Sequence, residues 1–318
     1  MKIAIVTPAS ADKRSGNRHT AHRWTRFLRV MGHRVSVRDE WSGGDTDLLI
    51  ALHARKSHPS IENFHRLRPD APLVVTLTGT DLYRDIQNSR QAQRSLTLAT
   101  RLIVLQERGI RELPRQHRAK ARVIYQSAAV DVRHAPASEN FRVAVVGHLR
   151  REKDPFRAVS ALKHLRQAAD IEVIQLGAAL TPEMAQQAEL WMKREPRYRW
   201  LGSKPHSQTL RAMAGSHLLV VSSVMEGGAN VICEAARMGL PVLASRVSGN
   251  VGMLGSGYPG YFRLFDDAGL ARLMARAGSD AAYYASLKRA VRERKPLFAP
   301  VSERESLKKL LQDLERLT

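Results

Sequence analysis

The chain has 318 residues, 43% of them hydrophobic, which is material for two buried cores and excludes an overall disordered reading. Its 51 Lys and Arg against 30 Asp and Glu give a formal charge of +21, shared by both halves: 24 basic against 12 acidic residues up to position 135, and 27 against 18 beyond it. That balance attracts polyanions or anionic small molecules, but it lacks the aromatic interleaving and zinc spacing of a nucleic-acid module, and no run approaches the roughly 18 to 20 apolar residues of a membrane span.

In chain order, short β-branched runs alternate with helical patterns. KIAIVTP (2–8) reads as a first strand rather than a signal peptide, which makes the cytoplasm the expected compartment. A helix follows over 17–31, then HRVSVRD, DLLIALHA, a helix, LVVTLTGTD, a helix, RLIVLQ and RVIYQS. After the polar stretch DVRHAPASEN (131–140) the pattern restarts with FRVAVVGHL, a helix over 155–167, IEVIQLGA, a helix over 182–194, RYRWLG, a helix over 207–215, HLLVVSS, a helix over 229–238 and PVLASRV. Helices over 281–294 and 302–316 end the chain. This βαβα order predicts an α/β fold of two Rossmann-like, doubly wound parallel-sheet domains facing a cleft. The expected limits are 1–135 and 136–295, with helices from about 296 to 318 able to return to the first domain.

In parallel sheets ligands bind beyond the carboxyl ends of the strands, so the loops that matter are specified in advance. They are PASADKRSGNR, HARKSHPS, TGTDLYRD, GHLRREKD and SSVMEGGANV. The most informative segment is 222–234, SSVMEGGANVICE, where a strand gives way to a Glu-Gly-Gly loop and a helix starting near Ala229 and Asn230. Free amides at such a helix start attract anions. Gly227 and Gly228 permit close approach of a ligand to the backbone, and Glu226 and Glu234 can accept hydrogen bonds from hydroxyls. His53, Arg55, Lys56 and His58 concentrate basic groups beyond a buried strand, where an anionic acceptor can dock or where they simply form a solvated face. Helix 17–31 carries Arg18, His19, His22, Arg23, Arg26 and Arg29, while Trp24, Phe27, Leu28 and Met31 have core spacing. Asp45-Thr46-Asp47 spells a metal-binding Asp-x-Asp but stands at the wrong end of its strand. No His/Cys/Asp spacing argues for zinc, so metal-independent chemistry without a cofactor is expected. Cys233 reads as a buried structural thiol.

The Glu226 and Glu234 pair resembles the E-x7-E signature of the retaining family-4 glycosyltransferases of GT-B fold, in which the first Glu lies by the transferred sugar or acceptor and the second binds the nucleotide ribose. The segment MGLPVLASRVSGN after it is similar too. The resemblance makes 147–154, GHLRREKD, the diphosphate loop: Lys153 falls on the family lysine, His148 stands where an arginine is usual, and Arg150 or Arg151 are the candidates to compensate. Gly16 falls where the family sets a glycine against donor phosphates, with Asn17 able to cap the helix behind it, and Tyr198–Gly202 matches the segment that cups the base. Thr78, Gly79, Thr80 and Asp81 occupy the place of a His-Gly or His-Asp turn. Thr78 therefore departs from the family histidine, and Asp81 is either a site carboxylate or an Asx-turn residue.

Over roughly residues 1–300, with TGTDLY, GHLR and EGGAN as the specific part, the chain resembles the selenosugar synthases of selenoneine biosynthesis. The resemblance implies transfer of a sugar from UDP-N-acetylglucosamine or UDP-glucose to the selenium of selenophosphate, forming a carbon–selenium bond. Glu226, Lys153 and Asp81 are then the catalytic candidates. Gly16, His148, Arg150, Lys153, Glu226, Gly227, Gly228, Ala229, Asn230 and Glu234 belong to the donor. Asn17, Arg18, His53, Arg55, Lys56, Thr78, Gly79 and Thr80 belong to the acceptor. No nucleic-acid partner and no stable membrane association are expected. Two competing readings are a GT-B enzyme using a lipid or glycan at a membrane surface, suggested by the basic helix, and a non-catalytic polyanion or nucleic-acid binder.

Overall fold

A computed structural model describes residues 1–8, 16–136, 140–165 and 170–317. It divides into two compact units: residues 1–126, 226–228 and 300–318 form unit 1, and 127–225 with 229–299 form unit 2. Each holds one all-parallel sheet of six strands, the α/β architecture that the alternating pattern predicts.

In unit 1 the strands are β1 (Lys2–Val6), β2 (Arg34–Arg38), β3 (Leu48–Leu52), β4 (Leu73–Leu77), β5 (Arg101–Val104) and β6 (Ala121–Val123), ordered β2-β1-β3-β4-β5-β6. The helices between them are α1 (Gly16–Val30), α2 (His58–Leu67), α3 (Ile86–Asn88), α4 (Arg90–Leu98) and α5 (Gly109–Glu112). Alternation along the strands feeds two cores. Ile3, Ile5, Leu48, Ile50 and Leu52 pack with Ala21, Trp24 and Leu28 of α1 on one face. Ala4, Val6, Leu49 and Ala51 pack with Ile61 and Phe64 of α2 and Leu96 of α4 on the other. At about 1.5–3 kcal/mol for each large side chain removed from water, these two layers dominate the stability of the unit.

Unit 2 repeats the plan with β7 (Phe141–Val146), β8 (Ile171–Leu176), β9 (Tyr198–Trp200), β10 (Leu218–Val221), β11 (Val242–Ser245) and β12 (Tyr261–Phe262), ordered β12-β11-β10-β7-β8-β9. Its helices are α6 (Arg157–Leu162), α7 (Pro182–Arg194), α8 (His206–Ala214), α9 (Asn230–Met238), α10 (Ser248–Leu254), α11 (Asp267–Ser279) and α12 (Ala281–Arg294). Winding runs from β7 through β8 to β9, then resumes at β10 on the other side of β7. The direction therefore switches between β7 and β10, where open α/β sheets bind ligands.

The last helix, α13 (Pro300–Glu315), belongs to unit 1. Leu307, Leu310, Leu311 and Leu314 join the α1 core. The buried Glu303 carboxylate accepts from Trp24 Nε1 at 2.7 Å and from Arg23 Nε and Nη2 at 2.6 and 3.0 Å. A buried carboxylate is tolerable only with such partners. Among the described residues no helix is long and apolar enough to cross a membrane.

Candidate functional site

Unit 2 assembles its candidate residues at the switch point. The loop after β7 runs from Gly147 through the 3-10 turn Arg151–Lys153 to Asp154, whose left-handed backbone (φ 44°) turns the chain into Pro155. Its carbonyls are clamped from the loop after β10. Ser222 Oγ donates to Lys153 O at 3.1 Å and to Asp154 O at 2.8 Å, and Val224 N donates to Glu152 O at 2.9 Å. The Asp154 carboxylate pairs with Arg157 Nε at 2.8 Å. Arg150 and Arg151 are exposed, and His148 and Lys153 half-buried. The end of β8 adjoins the same loop so closely that a Cβ at Gly177 (φ 147°) would stand 1.9 Å from Gly147 O, so only glycine fits there.

The chain then enters α9. Ala229 precedes it with extended backbone and no side-chain cap, so the first-turn amides after Ala229 and Asn230 meet no competing side-chain acceptor. Cys233 lies buried behind them, its Sγ 3.6 Å from Ala229 O, the environment of a structural thiol. One turn along, Glu234 keeps 14% of its side chain exposed and accepts at Oε1 from His206 Nε2 at 2.8 Å. The Glu234 hydrogen bond raises the pKa of His206 above its ordinary value, against partial burial. In the 198–202 segment, Tyr198 is buried and donates to Gln175 Oε1 at 2.7 Å, while Trp200 Nε1 donates to Gly177 O at 2.9 Å.

Unit 1 draws its candidates inward. Asp81 opens a five-residue π-helical turn, Asp81–Asp85, and is fully buried. Oδ1 accepts from the amides of Thr78 and Gly79, both at 2.9 Å, and Oδ2 from the amide of Ala54 at 3.0 Å. The carboxylate thus ties the loop after β3 to the loop after β4. His53 is buried with positive φ (82°), an uncommon conformation for a side chain of its size. Its Nδ1 accepts from Lys56 N at 3.3 Å, which leaves the proton of the neutral ring on Nε2, 3.2 Å from Thr80 Oγ1. Burial pushes the His53 pKa down, outweighing the upward pull of Asp81 and Asp85. Arg55 Nε donates to Asp85 Oδ2 at 2.8 Å. Burial raises Asp85, but hydrogen bonds from Arg55 and Arg84 reverse this and hold it below the usual carboxylate range. His58 is buried on α2 with Nδ1 2.9 Å from Ser95 Oγ. Of the predicted basic cluster only Lys56 is exposed, with Arg55 half-buried.

Residues 226–228 also belong to unit 1. Glu226 is 7% exposed. A Cβ on Gly227 would stand 2.3 Å from Thr78 O and one on Gly228 2.7 Å from Leu105 Cβ, so both glycines are needed by protein neighbours, not only by a ligand. On α1, Gly16 is exposed at the first position and Asn17 half-buried; Arg18 reaches Asp39 at 3.5 Å, Arg23 holds Glu303 and Arg29 donates to Val35 O at 2.8 Å. His22 and Arg26 remain exposed. The predicted loop at 9–15 lies outside the described residues. Asp45 and Asp47 hold the Lys2 side chain and amide at the amino end of β1. Among the described residues no group of three or more His, Cys, Asp or Glu is placed to hold a metal.

Gly177, His206 and the clamping role of Ser222, a residue inside the 222–234 segment, escape a reading of the sequence. Each acts across a gap in the chain, and none has spacing or composition to mark it.

Comparison with known proteins places this geometry. Residues 129–294, just over half the chain, match the family described as glycosyl transferases group 1. The whole chain is similar to HepE from Anabaena, solved in complex with UDP-glucose (TM-score 0.80, 17% identity, 98% of this chain and 100% of that one). It is similar also to sucrose-phosphate synthase from Thermosynechococcus elongatus (0.78, 17%, 100% and 100%) and to a glycosyltransferase from Rickettsia africae (0.72, 14%, 99% and 98%). The fold is GT-B.

Proposed function

The chain belongs to the group 1 glycosyl transferases, and from that premise we propose that it moves the glycosyl group of UDP-N-acetylglucosamine or UDP-glucose to the selenium of selenophosphate. The observation that carries the donor half is the switch-point arrangement: an uncapped α9 amino end, the Ser222-clamped Lys153 loop and the half-open Glu234 carboxylate on one helix. Amides and cation suit a diphosphate, and a carboxylate suits vicinal hydroxyls. HepE of similar fold holds UDP-glucose, which supports the same donor class here. The acceptor half rests on the likeness of TGTDLY, GHLR and EGGAN to selenosugar synthases.

In the step itself selenium attacks the anomeric carbon, the bond from that carbon to the UDP oxygen breaks, and its electron pair leaves on UDP. Hydrolysis of the Se–P bond by water then releases phosphate and the selenosugar. Lys153 and the α9 amides stabilise the charge arriving on UDP, with Arg150, Arg151 and His148 beside Lys153 in the same loop. By its likeness to the first Glu of the E-x7-E signature, Glu226 is the carboxylate assigned to the transferred sugar or acceptor. The soft, already anionic nucleophile needs no strong base, so Thr78 in place of a histidine is tolerable. Thr80, accepting from His53, keeps its own hydroxyl proton to donate, and Lys56 with Arg18 and Asn17 supplies charge and donors for the acceptor. Asp81 contributes by holding Thr78 and Gly79 in place. No metal or cofactor is required, and the reaction is assigned to the cytoplasm. A membrane-surface role for α1 is disfavoured because its apolar face is buried and three of its arginines are bonded within unit 1.

The test is mass spectrometry of purified protein with UDP-N-acetylglucosamine and selenophosphate, with thiophosphate and inorganic phosphate as control acceptors. A selenosugar mass with released UDP is the expected result. UDP binding without product moves the acceptor to glycans or lipids, and absence of UDP binding overturns the reading.

A further inference from the structure

We propose that His206 is a positioning residue of the donor site, holding Glu234 for a ribose diol. The inference rests on the reading that Glu234 receives the nucleotide ribose.

His206 is the first residue of α8, directly after Pro205, and its imidazole is 62% exposed. A helix amino end disfavours a positive charge, so nothing in α8 itself favours an imidazolium there. The partner comes from 28 residues further along the chain: His206 Nε2 sits 2.8 Å from Glu234 Oε1. That bond is the largest influence on the ring and keeps it protonated to higher pH. The carboxylate gains as much as the imidazole. A glutamate on the second turn of α9 has three side-chain torsions to fix, and the charge-assisted bond on Oε1 selects one arrangement. Oε2 has no hydrogen bond among the described residues and keeps its lone pairs for an incoming hydroxyl. The pair therefore divides its work: His206 occupies one oxygen and orients the other, and the ligand meets a carboxylate already aimed.

The arrangement belongs to the site and not to general surface electrostatics. Exposed ion pairs contribute little to stability, and the protein does not need this one for its core, since Leu210, Met213 and Ala214 already bury α8. Preorganisation of a ligand group is where such a bond has its effect.

Calorimetric titration of the full chain with UDP and with 2′,3′-dideoxyuridine diphosphate separates diol recognition from phosphate recognition. His206→Ala is expected to weaken UDP about threefold to tenfold while leaving the dideoxy analogue unchanged, the size of a partly screened charge-assisted bond. His206→Gln, which retains an N–H donor, should recover affinity to within about twofold of the parent. In turnover assays His206→Ala raises the donor KM and leaves kcat within about twofold, a loss of ground-state binding. If His206→Ala binds UDP as the parent does while Glu234→Gln loses it, the inference is overturned and the reading of Glu234 stands. Equal weakening of both nucleotides also overturns it, because His206 then acts on the phosphates or on the fold. If Glu234→Gln itself binds UDP normally, the ribose reading fails and the inference fails with it.

Discussion

Both units pair a carboxylate with a histidine beyond a parallel sheet, and they do so in opposite ways. In unit 1, Asp81 is fully buried and its two oxygens are taken by three backbone amides, while His53 beside it is driven toward the neutral form by burial. In unit 2, Glu234 remains partly exposed with one oxygen on His206, whose pKa is raised. A carboxylate whose acceptor sites are filled by its own chain orients loops, and one with an acceptor site left open is available to a ligand. A carboxylate and a histidine therefore make a structural pair in one unit and, in the other, the pair proposed for recognition, the two separated by burial and by the acceptor site left open.

The largest effect should come from the structural pair. Asp81→Ala leaves one buried amide, that of Ala54, and two part-buried ones, those of Thr78 and Gly79, without an acceptor and is expected to cost about 2–4 kcal/mol, read as a lower urea midpoint. Asp81→Asn retains an oxygen for Thr78 and Gly79 and should cost roughly half as much. If Asp81→Ala keeps its stability but loses turnover, the comparison breaks and the carboxylate is chemical. Glu234→Ala should do the reverse. UDP affinity falls about 10- to 100-fold, near 1.5–3 kcal/mol, while unfolding stability moves by no more than about 0.5–1 kcal/mol.

These contrasts mark what the sequence carries. The alternation of apolar runs with helical spacing is enough for two parallel sheets, because the strands are short and the central ones, such as β3, β4 and β10, are buried along their length. Helix ends are legible where a local cap sets them: α7 starts after Thr181, whose side chain accepts from Met184 N at 3.4 Å, and α12 after Asp280, which accepts from Tyr283 N at 2.9 Å. Nothing local reports that Asp81 reaches back 27 residues to Ala54, or that Ser222 clamps a carbonyl 69 residues away. The same limit applies to glycine. Gly227 is visible as a residue that something approaches closely, but that the neighbour is Thr78 O is a fact of tertiary packing.

The two histidines sharpen the comparison through pH. The folded pKa of His53 is depressed, so below the ordinary imidazole value near 6.5 the unfolded chain binds the proton first and stability falls with falling pH. The folded pKa of His206 is raised, so its stabilisation is complete below about 6.5 and disappears as pH rises through the folded value. His53→Asn should flatten the acid limb of a stability profile, and His206→Gln the limb above neutrality. Proton NMR of the imidazoles reads the pKa values directly, and Glu234→Gln should lower the His206 value toward the ordinary one. A His53 resonance titrating above 6.5 would remove the contrast.

The smallest expected effect is none at all, and it tests how the leaving group is stabilised. In the proposed step charge arrives on UDP, and a divalent cation is one way to receive it. The proposed step gives that task to the cations and dipoles of unit 2 instead: Lys153, in a loop whose carbonyls are pinned by Ser222, and the uncapped amino end of α9. The sequence offers an Asp-x-Asp at 45–47, but both carboxylates are engaged by Lys2 at the amino end of β1, away from the strand ends where ligands bind. Turnover measured after chelation with EDTA should therefore equal turnover with added magnesium. A rate that collapses on chelation and returns with the metal would show that the diphosphate is neutralised by an ion, and would turn Lys153 from principal partner into auxiliary.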